Sequence, residues 1–141
     1  ERQFMSKEIV GSIHPSPEQF RAFSELDQAT PITMLNLLRF SEQAEPGSVA
    51  AGMSGRDAYA EYAKRVGELP TDIFRGQLQT MLSGLMTLIG PADEEWDEIL
   101  LVRYDTVSDF LLMATNHDYL VVSEWRTAAL ADSRLVAFAS S

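Results

Sequence analysis

Apolar residues recur along the chain in blocks whose spacing changes between that of strands and that of helices. Residues 32–40 form a near-continuous apolar run of strand length, and residues 78–89 and 96–104 form two more runs separated by a Gly-Pro turn signal. A brief apolar run follows at 135–139. The pattern therefore predicts four strands, the second and third joined as a hairpin. Gly84 inside the second run predicts a bulge or a close approach of another segment.

Helical spacing predicts four helices, most of which start at a residue that can cap them. Ser16 followed by Pro17 is typical of a helix start, and Ser54 with an acidic residue three positions later resembles a capping box. Thr106 is the predicted cap of the third helix. The predicted helices span residues 17–26, 54–69, 106–114 and 117–131.

A long stretch at 41–53 has no sustained period and contains Pro46, Gly47 and Gly52. Connections of this length are commonly either mobile or functional. Two interpretations stay open, a disordered insertion and a flap over a pocket.

Without the first helix, the predicted order is strand, helix, strand, strand, helix, strand. This is the ferredoxin-like βαββαβ arrangement, an antiparallel sheet with helices on one face. The predicted fold class is therefore α+β. Residues 1–30 are predicted to be an N-terminal extension with the extra helix, and residues 31–141 the ferredoxin-like domain.

The sheet face without helices is predicted to be apolar, because it would carry Leu35, Leu37, Ile99 and Leu101. An apolar surface of this extent is unusual in a monomer. Face-to-face pairing of two sheets would bury it, so the pattern predicts a homodimer that forms a dimeric α/β barrel.

Composition narrows the classes of partner. The chain has 141 residues, 45% of them hydrophobic, which suits one globular domain. It has no cysteine, so disulfides, thiolate zinc sites, iron–sulfur clusters and cysteine nucleophiles are excluded. A formal charge of −10 opposes binding to nucleic acid and to anionic membranes, and no apolar run is long enough to span a bilayer. A cytoplasmic protein is the simplest interpretation.

The common catalytic and cofactor motifs are missing. The sequence has no Gly-x-Ser-x-Gly elbow, phosphate-binding loop or dinucleotide fingerprint. Its two histidines stand apart without a close set of acidic ligands, and the acidic residues at 93–98 lack the spacing of a calcium loop. The sequence therefore predicts no metal and no cofactor, and the acidic stretch is interpreted as a solvated turn.

Two polar residues interrupt apolar strands. Asn36 shares its strand face with apolar neighbours, so it is predicted either to orient a ligand or to make a structural hydrogen bond. Arg103 ends an apolar strand, where a guanidinium would suit a carboxylate or enolate ligand. The alternatives for Arg103 are an ion pair, for instance with Asp132, and a solvated strand end.

The predicted helices carry the other candidates. His117 at a helix start is the best acid–base candidate, and the alternatives are an exposed histidine without function and a haem ligand. Tyr59 and Tyr62 share a helix face, which makes them core residues whose hydroxyls could reach a pocket. Arg126 is predicted either to hold an anion or to pair with an acidic residue, for which Glu124, Asp118 and Asp132 are the candidates.

From about residue 31 onward the chain resembles the family catalogued as domain of unknown function 1330. The residues that carry the resemblance are Met34-Leu35-Asn36-Leu37-Leu38-Arg39-Phe40, Tyr59, Tyr62, Leu88-Ile89-Gly90, Trp96-Asp97, Arg103-Tyr104, Phe110, Met113, Tyr119, Arg126 and 129–135. The resemblance implies membership of the dimeric α/β-barrel group, and it implies no reaction.

Two functional hypotheses of different classes follow. The first is a metal-free lyase, isomerase or monooxygenase that acts on a small apolar or aromatic compound, by analogy with dimeric α/β-barrel enzymes. In it, His117 moves a proton, Arg103 stabilises negative charge, and Asn36 with Tyr59 or Tyr62 orients the substrate. The second is a non-catalytic ligand-binding or scaffold dimer, because the sequence concentrates little acid–base chemistry anywhere.

Overall fold

The computed structural model describes residues 12–140. The described part contains four helices and four strands. In chain order they are α1 (Pro17–Ser24), β1 (Ile32–Phe40), α2 (Gly55–Gly67), β2 (Gln77–Ser83), β3 (Glu98–Tyr104), α3 (Val107–Ala114), α4 (His117–Ala129) and β4 (Leu130–Ala139).

The four strands form one antiparallel sheet in the order β2-β3-β1-β4. Each of the two central strands is therefore hydrogen-bonded on both sides, and each crossover skips one strand. This is the ferredoxin-like topology, so the predicted α+β fold class is confirmed.

Side chains cap all four helices. The hydroxyls of Ser16, Ser54 and Thr106 each accept a hydrogen bond from the backbone N–H three residues later, as the sequence predicts. Asn116, which the sequence does not single out, caps α4 by accepting from the N–H groups of Asp118 and Tyr119.

The two outer strands differ from their predicted bounds. β2 ends at Ser83 rather than continuing to residue 89, because the chain leaves the sheet at Gly84. A Cβ atom at Gly84 would lie 1.8 Å from the carbonyl oxygen of Trp96, which confirms the predicted close approach. β4 begins at Leu130, directly after α4, instead of at residue 135.

The long stretch at 41–53 is an ordered loop, so the expectation of a disordered insertion is wrong. Ala44 and Ala50 are buried in the core. The N–H of Ala44 donates to the carbonyl of Met53 at 2.9 Å, and the N–H of Glu45 donates to the carbonyl of Ala128 at 3.1 Å. These bonds fix the loop against the end of α4.

Two separate clusters make up the core between the helices and the sheet. The first core cluster lies at the Phe40 end of β1 and contains Leu38, Ala44, Ala50, Ala58, Tyr59, Ala128, Ala129 and Leu130. The second core cluster lies at the Ile32 end and contains Ile32, Met34, Tyr104, Val107 and Met113. α1 packs on the second cluster through Phe23, whose ring lies 5.3 Å from that of Phe110.

Gly55→Ala should lower the free energy of unfolding by about 1–3 kcal/mol, because the new methyl group overpacks a site formed by backbone. Its Cβ would lie 2.1 Å from the Ser41 carbonyl oxygen and 2.6 Å from that of Ala129. Urea denaturation at one fixed protein concentration measures the change. Gly67→Ala is the matched control, because nothing lies within 4 Å of its Cβ position and no loss is expected there. Equal effects at the two glycines would contradict the prediction.

Candidate functional site

Strand register divides the sheet residues between a helix-covered face and an open face. On β1 the side chains of Ile32, Met34 and Leu38 are buried under the helices, so Asn36 points to the same side. Leu35 and Leu37 point to the open face, where they lie opposite Leu101 and Ile99 of β3. The structure thus places these four leucine and isoleucine residues on the face that the sequence predicts.

One row of side chains crosses the helix-covered face at the level of Asn36. Met81 lies opposite Leu100, Leu100 opposite Asn36, and Asn36 opposite Leu135. The first core cluster lies on one side of this row and the second on the other. Met81 is 60% exposed and Leu135 is 45% exposed, while Asn36 and Leu100 are half-buried. The row therefore lies between the two clusters of buried residues, with Leu100 packed against the first cluster and the two end residues exposed at the sheet edges.

The Asn36 amide has spare hydrogen-bonding capacity. Within residues 12–140, its one hydrogen bond is from Nδ2 to the carbonyl of Met34, at 3.3 Å. The Oδ1 atom accepts none from this part of the chain. Polar groups inside a fold are almost always paired, with protein or with another molecule.

Three tyrosines on α2 and α4 lie close together. Tyr62 packs against the first core cluster and Tyr119 against the second, and their hydroxyl oxygens lie 2.7 Å apart. The ring of Tyr59 lies 5.2 Å from that of Tyr62, and the Tyr59 hydroxyl has no hydrogen bond to any described residue. Burial raises the pKa of the Tyr59 and Tyr62 phenols well above the usual value, although the nearby Arg126 acts in the opposite direction.

Arg126 on α4 is a half-buried cation whose predicted ion pairs do not form. Its guanidinium donates to the carbonyl of Ile13 at 2.9 Å and to the Ser133 hydroxyl at 3.3 Å. In the part of the chain that the structure describes, no carboxylate lies within 4 Å of it. Its positive charge therefore lies near the tyrosines, and no carboxylate of residues 12–140 forms an ion pair with it.

Arg103 lies on the other side of the sheet. It pairs with Thr33 of β1, which points to the open face, and its guanidinium forms an ion pair with Asp105 rather than with Asp132. With Thr33 and Ser140, whose hydroxyls lie 2.7 Å apart, it lines a polar depression of about 330 Å³. Arg103 therefore does not share a site with Asn36.

His117 is also separate from the row. It is the first residue of α4 and its side chain is exposed. Of the six predicted site residues, the structure places Tyr59, Tyr62 and Arg126 near one another. Asn36 points to the same helix-covered side of the sheet, and His117 and Arg103 lie elsewhere.

Tyr119 is the member of this group that the sequence prediction missed as a site residue. The Asn116 cap places Tyr119 in the first turn of α4, but it does not determine which side of that turn faces α2. A second depression, of about 310 Å³, lies between the 41–53 loop and α4 and is lined by Glu45 and Glu124 among others.

Two classes of feature are not found in the described residues. Between residues 12 and 140, no three His, Asp or Glu side chains lie close enough together to hold a metal ion. No helix in that range has both the length and the apolar character that a membrane span requires.

Comparisons with known proteins give relatives among solved structures. No protein-family model matches the sequence, and no functionally curated protein matches it. The chain is similar to RPA0582, a protein of unknown function from Rhodopseudomonas palustris, with 32% identity, 93% of this chain and 98% of that chain covered, and a TM-score of 0.81. The methylated RPA0582 protein gives 32% identity, 94% and 96% coverage, and a TM-score of 0.84.

A third solved structure is a dimeric protein of unknown function and ferredoxin-like fold from Bacteroides fragilis. It is 11% identical, with 81% of this chain and all of that chain (100%) covered and a TM-score of 0.49. The identity to RPA0582 over nearly the whole of both chains shows the family: this chain belongs to the same family as that protein of unknown function.

Proposed function

We propose that this chain is a homodimeric small-molecule-binding protein whose ligand lies over Asn36, between the sheet and helices α2 and α4. The observation that carries the proposal is the row of Met81, Leu100, Asn36 and Leu135, which lies between the two core clusters and whose end residues are exposed at both sheet edges. Ligand sites are typically apolar surfaces with a few placed polar groups. The row has this composition, three apolar side chains and one amide.

The polar atoms around the row indicate the ligand's chemistry. The Oδ1 atom of Asn36 would accept a hydrogen bond from a ligand hydroxyl or N–H group. The Tyr59 hydroxyl, which has no hydrogen bond to a described residue, would bind a second polar atom. Arg126 adds a positive charge beside the tyrosine rings. An apolar or aromatic compound that carries a hydroxyl or a weakly acidic group would satisfy all three residues.

The dimer is part of the proposal because the open sheet face is apolar at its centre. Leu35, Leu37, Ile99 and Leu101 form two directly opposed pairs there, on the two central strands. Pairing of two such faces would bury them.

We also propose that the chain belongs to the domain of unknown function 1330 family, because of the residues that carry that resemblance.

A catalytic function is the second candidate, and the contact between the Tyr62 and Tyr119 hydroxyls favours it. A phenol pair at 2.7 Å beside a cation that no described carboxylate neutralises could donate a proton to a bound substrate while Arg126 stabilises the negative charge that develops. In this form of the proposal the tyrosines take the proton-transfer role first given to His117. Arg126 likewise takes the charge-stabilising role first given to Arg103.

Asn36→Leu should weaken ligand binding about tenfold or more, because it removes one hydrogen bond and leaves the ligand's polar group unpaired. A thermal-shift screen of phenols and aromatic carboxylates on the wild type identifies the probe, and calorimetric titration of that probe gives the change in Kd. The substitution also removes an amide whose Oδ1 atom accepts no hydrogen bond from residues 12–140, so the protein's own unfolding temperature should not fall.

Gln79→Leu is the matched control, since it removes an amide from the polar depression on the open face. It should leave the Kd of the same probe unchanged. Unchanged binding in Asn36→Leu, or an equal loss in Gln79→Leu, would contradict the proposed site. If Tyr62→Phe also leaves turnover of every bound compound unaltered, the catalytic form of the proposal fails while the binding form stands.

A further inference from the structure

Residues 84–91, here called the arm, directly follow β2 and lie in the connection between β2 and β3. They carry four large apolar side chains that are exposed to solvent. Leu85 is 97% exposed, Met86 73%, Leu88 85% and Ile89 92%. Single exposed apolar residues are ordinary, but a contiguous group of this size usually marks an interaction surface.

The base of the arm is held firmly. The N–H of Gly84 donates to the carbonyl of Asp97 at 2.8 Å, and the Thr87 hydroxyl donates to the carbonyl of Glu94. Asp97 is itself fixed to β1, because its N–H donates to the Leu38 carbonyl at 2.8 Å and its carboxylate accepts from the N–H of Phe40 at 2.8 Å. The exposure of the arm is therefore built into the fold.

The arm lies at one end of the open sheet face. Arg39 shares the β1 face of Leu35 and Leu37, and its guanidinium donates to the carbonyl of Glu95 at 3.0 Å and to that of Asp93 at 2.9 Å. Arg134 of β4 lies opposite Leu37, and its guanidinium stands 5.1 Å from the ring centre of Trp96. Residues 93–96, which follow the arm, therefore run along the edge of the open face. The arm projects beyond this edge.

The open face alone is small for a stable dimer. Four strands about 4.8 Å apart, seven to ten residues long with about 3.4 Å per residue, give a face of about 540 Å². A stable interface typically buries about 800 Å² on each partner. Four large apolar side chains of about 100 Å² each would supply the whole of the difference. The arm and the open face together therefore reach the area that one dimer interface needs.

Charge argues against a lipid surface as the partner of the arm. Residues 76–102 contain no lysine or arginine, and five acidic residues follow the arm at 93–98. Anionic membranes would repel this segment. The centre of the open face of a second copy instead offers four apolar side chains, those of Leu35, Leu37, Ile99 and Leu101.

We propose that the arm of each protomer packs against the second copy of the chain and is an integral part of the dimer interface. This inference rests on the proposed dimer and extends it. If the arm did not contact the second copy, the dimer would be held together by the smaller sheet-face interface alone.

The absence of cysteine from the sequence allows a direct test by thiol labelling. In Leu88→Cys the new thiol should react with a maleimide dye at least tenfold more slowly at concentrations where sedimentation shows a dimer than after dilution to monomer. Leu120→Cys on α4, where the native residue is 48% exposed, is the matched control and should react at one rate throughout.

A second variant tests the energetics. Leu85→Ser with Leu88→Ser should raise the dimer dissociation constant at least a hundredfold without lowering the unfolding temperature of the monomer, since both side chains are exposed in it. Leu112→Ser with Leu120→Ser makes the same chemical change elsewhere and should leave dimerisation unaltered.

The outcomes separate the arm from the dimer itself. A wild-type dimer in which Leu88→Cys reacts at the unhindered rate overturns the arm contact and leaves the sheet-face dimer standing. A wild type that stays monomeric at all concentrations overturns both. Protection of Leu88→Cys that appears only when phosphatidylcholine vesicles are added overturns the second copy as the partner.

Discussion

Above about pH 10 the free energy of unfolding should fall with a slope that increases toward about 4 kcal/mol per pH unit, because three buried tyrosines keep their protons in the folded state. Burial raises the pKa of Tyr59, Tyr62 and Tyr104 well above the ordinary value. In the unfolded chain the same phenols ionise near about pH 10. Each proton that the unfolded state alone loses contributes about 1.4 kcal/mol per pH unit.

The sign of the effect follows from the direction of the three pKa shifts. A group whose pKa is raised on folding stabilises the protein fully below its unfolded pKa and loses that contribution as pH rises toward the folded pKa. The contribution of these tyrosines to the free energy of unfolding should therefore not change with pH near neutrality. It should decrease steeply at alkaline pH. Urea denaturation at a series of pH values between about 8 and 11, at one protein concentration, measures the slope.

Tyr104→Phe is the control for the alkaline effect. In the described part of the chain, the Tyr104 hydroxyl makes one weak hydrogen bond, to the sulfur of Met113 at 3.7 Å. Removal of this hydroxyl should change the free energy of unfolding little at neutral pH. It should reduce the alkaline slope by about a third, because one of the three phenols that ionise in the unfolded state is gone. A wild-type slope near zero, or an unchanged slope in Tyr104→Phe, would show that the phenols ionise without unfolding.

The central strands and helix starts were predictable because local chemistry alone determines them. β1 has the predicted bounds of 32–40, since Pro31 precedes a run that is apolar on both faces. Ser16, Ser54 and Thr106 cap helices through hydrogen bonds to N–H groups only three residues away. Such signals need no knowledge of distant parts of the chain.

The outer strands were mispredicted because distant contacts decide where they end. Residues 85–89 continue an apolar run and look like strand, yet the approach of Trp96 to Gly84 turns the chain away. At the other edge, polar residues at 132–134 hide the start of β4, whose pairing begins at Leu130 opposite Phe40. In both places tertiary structure overrides the local pattern.

The candidate site was predictable where one strand determined it and not where several elements had to meet. Asn36 could be assigned to a face by strand alternation, and the structure places it there. The same alternation places Arg103 on the face of Leu101 and Ile99. The sequence predicts that this face is the one without helices, so Arg103 and Asn36 belong on opposite faces. The meeting of Tyr62 and Tyr119 across two helices depends on helix packing, which no periodicity reveals.

Leu101→Glu should convert the proposed dimer to a monomer over the micromolar range, with the dissociation constant raised at least a hundredfold. Leu101 is at the centre of the open face, opposite Leu35, so each protomer would bring one carboxylate into the interface. Burying an unpaired charge costs several kcal/mol of association free energy. A change of about 1.4 kcal/mol changes the dissociation constant tenfold. The twofold relation of a dimer applies the cost twice.

The folded protomer should tolerate Leu101→Glu, because the side chain points away from both core clusters. Sedimentation velocity over a dilution series measures association, and circular dichroism checks that the fold is retained. Leu120→Glu is the matched control, since it places the same charge at an exposed leucine on α4. It should dimerise like the wild type, because the helices cover the sheet face away from the proposed interface. A Leu101→Glu protein that stays folded and dimeric would move the dimer contact away from the open sheet face.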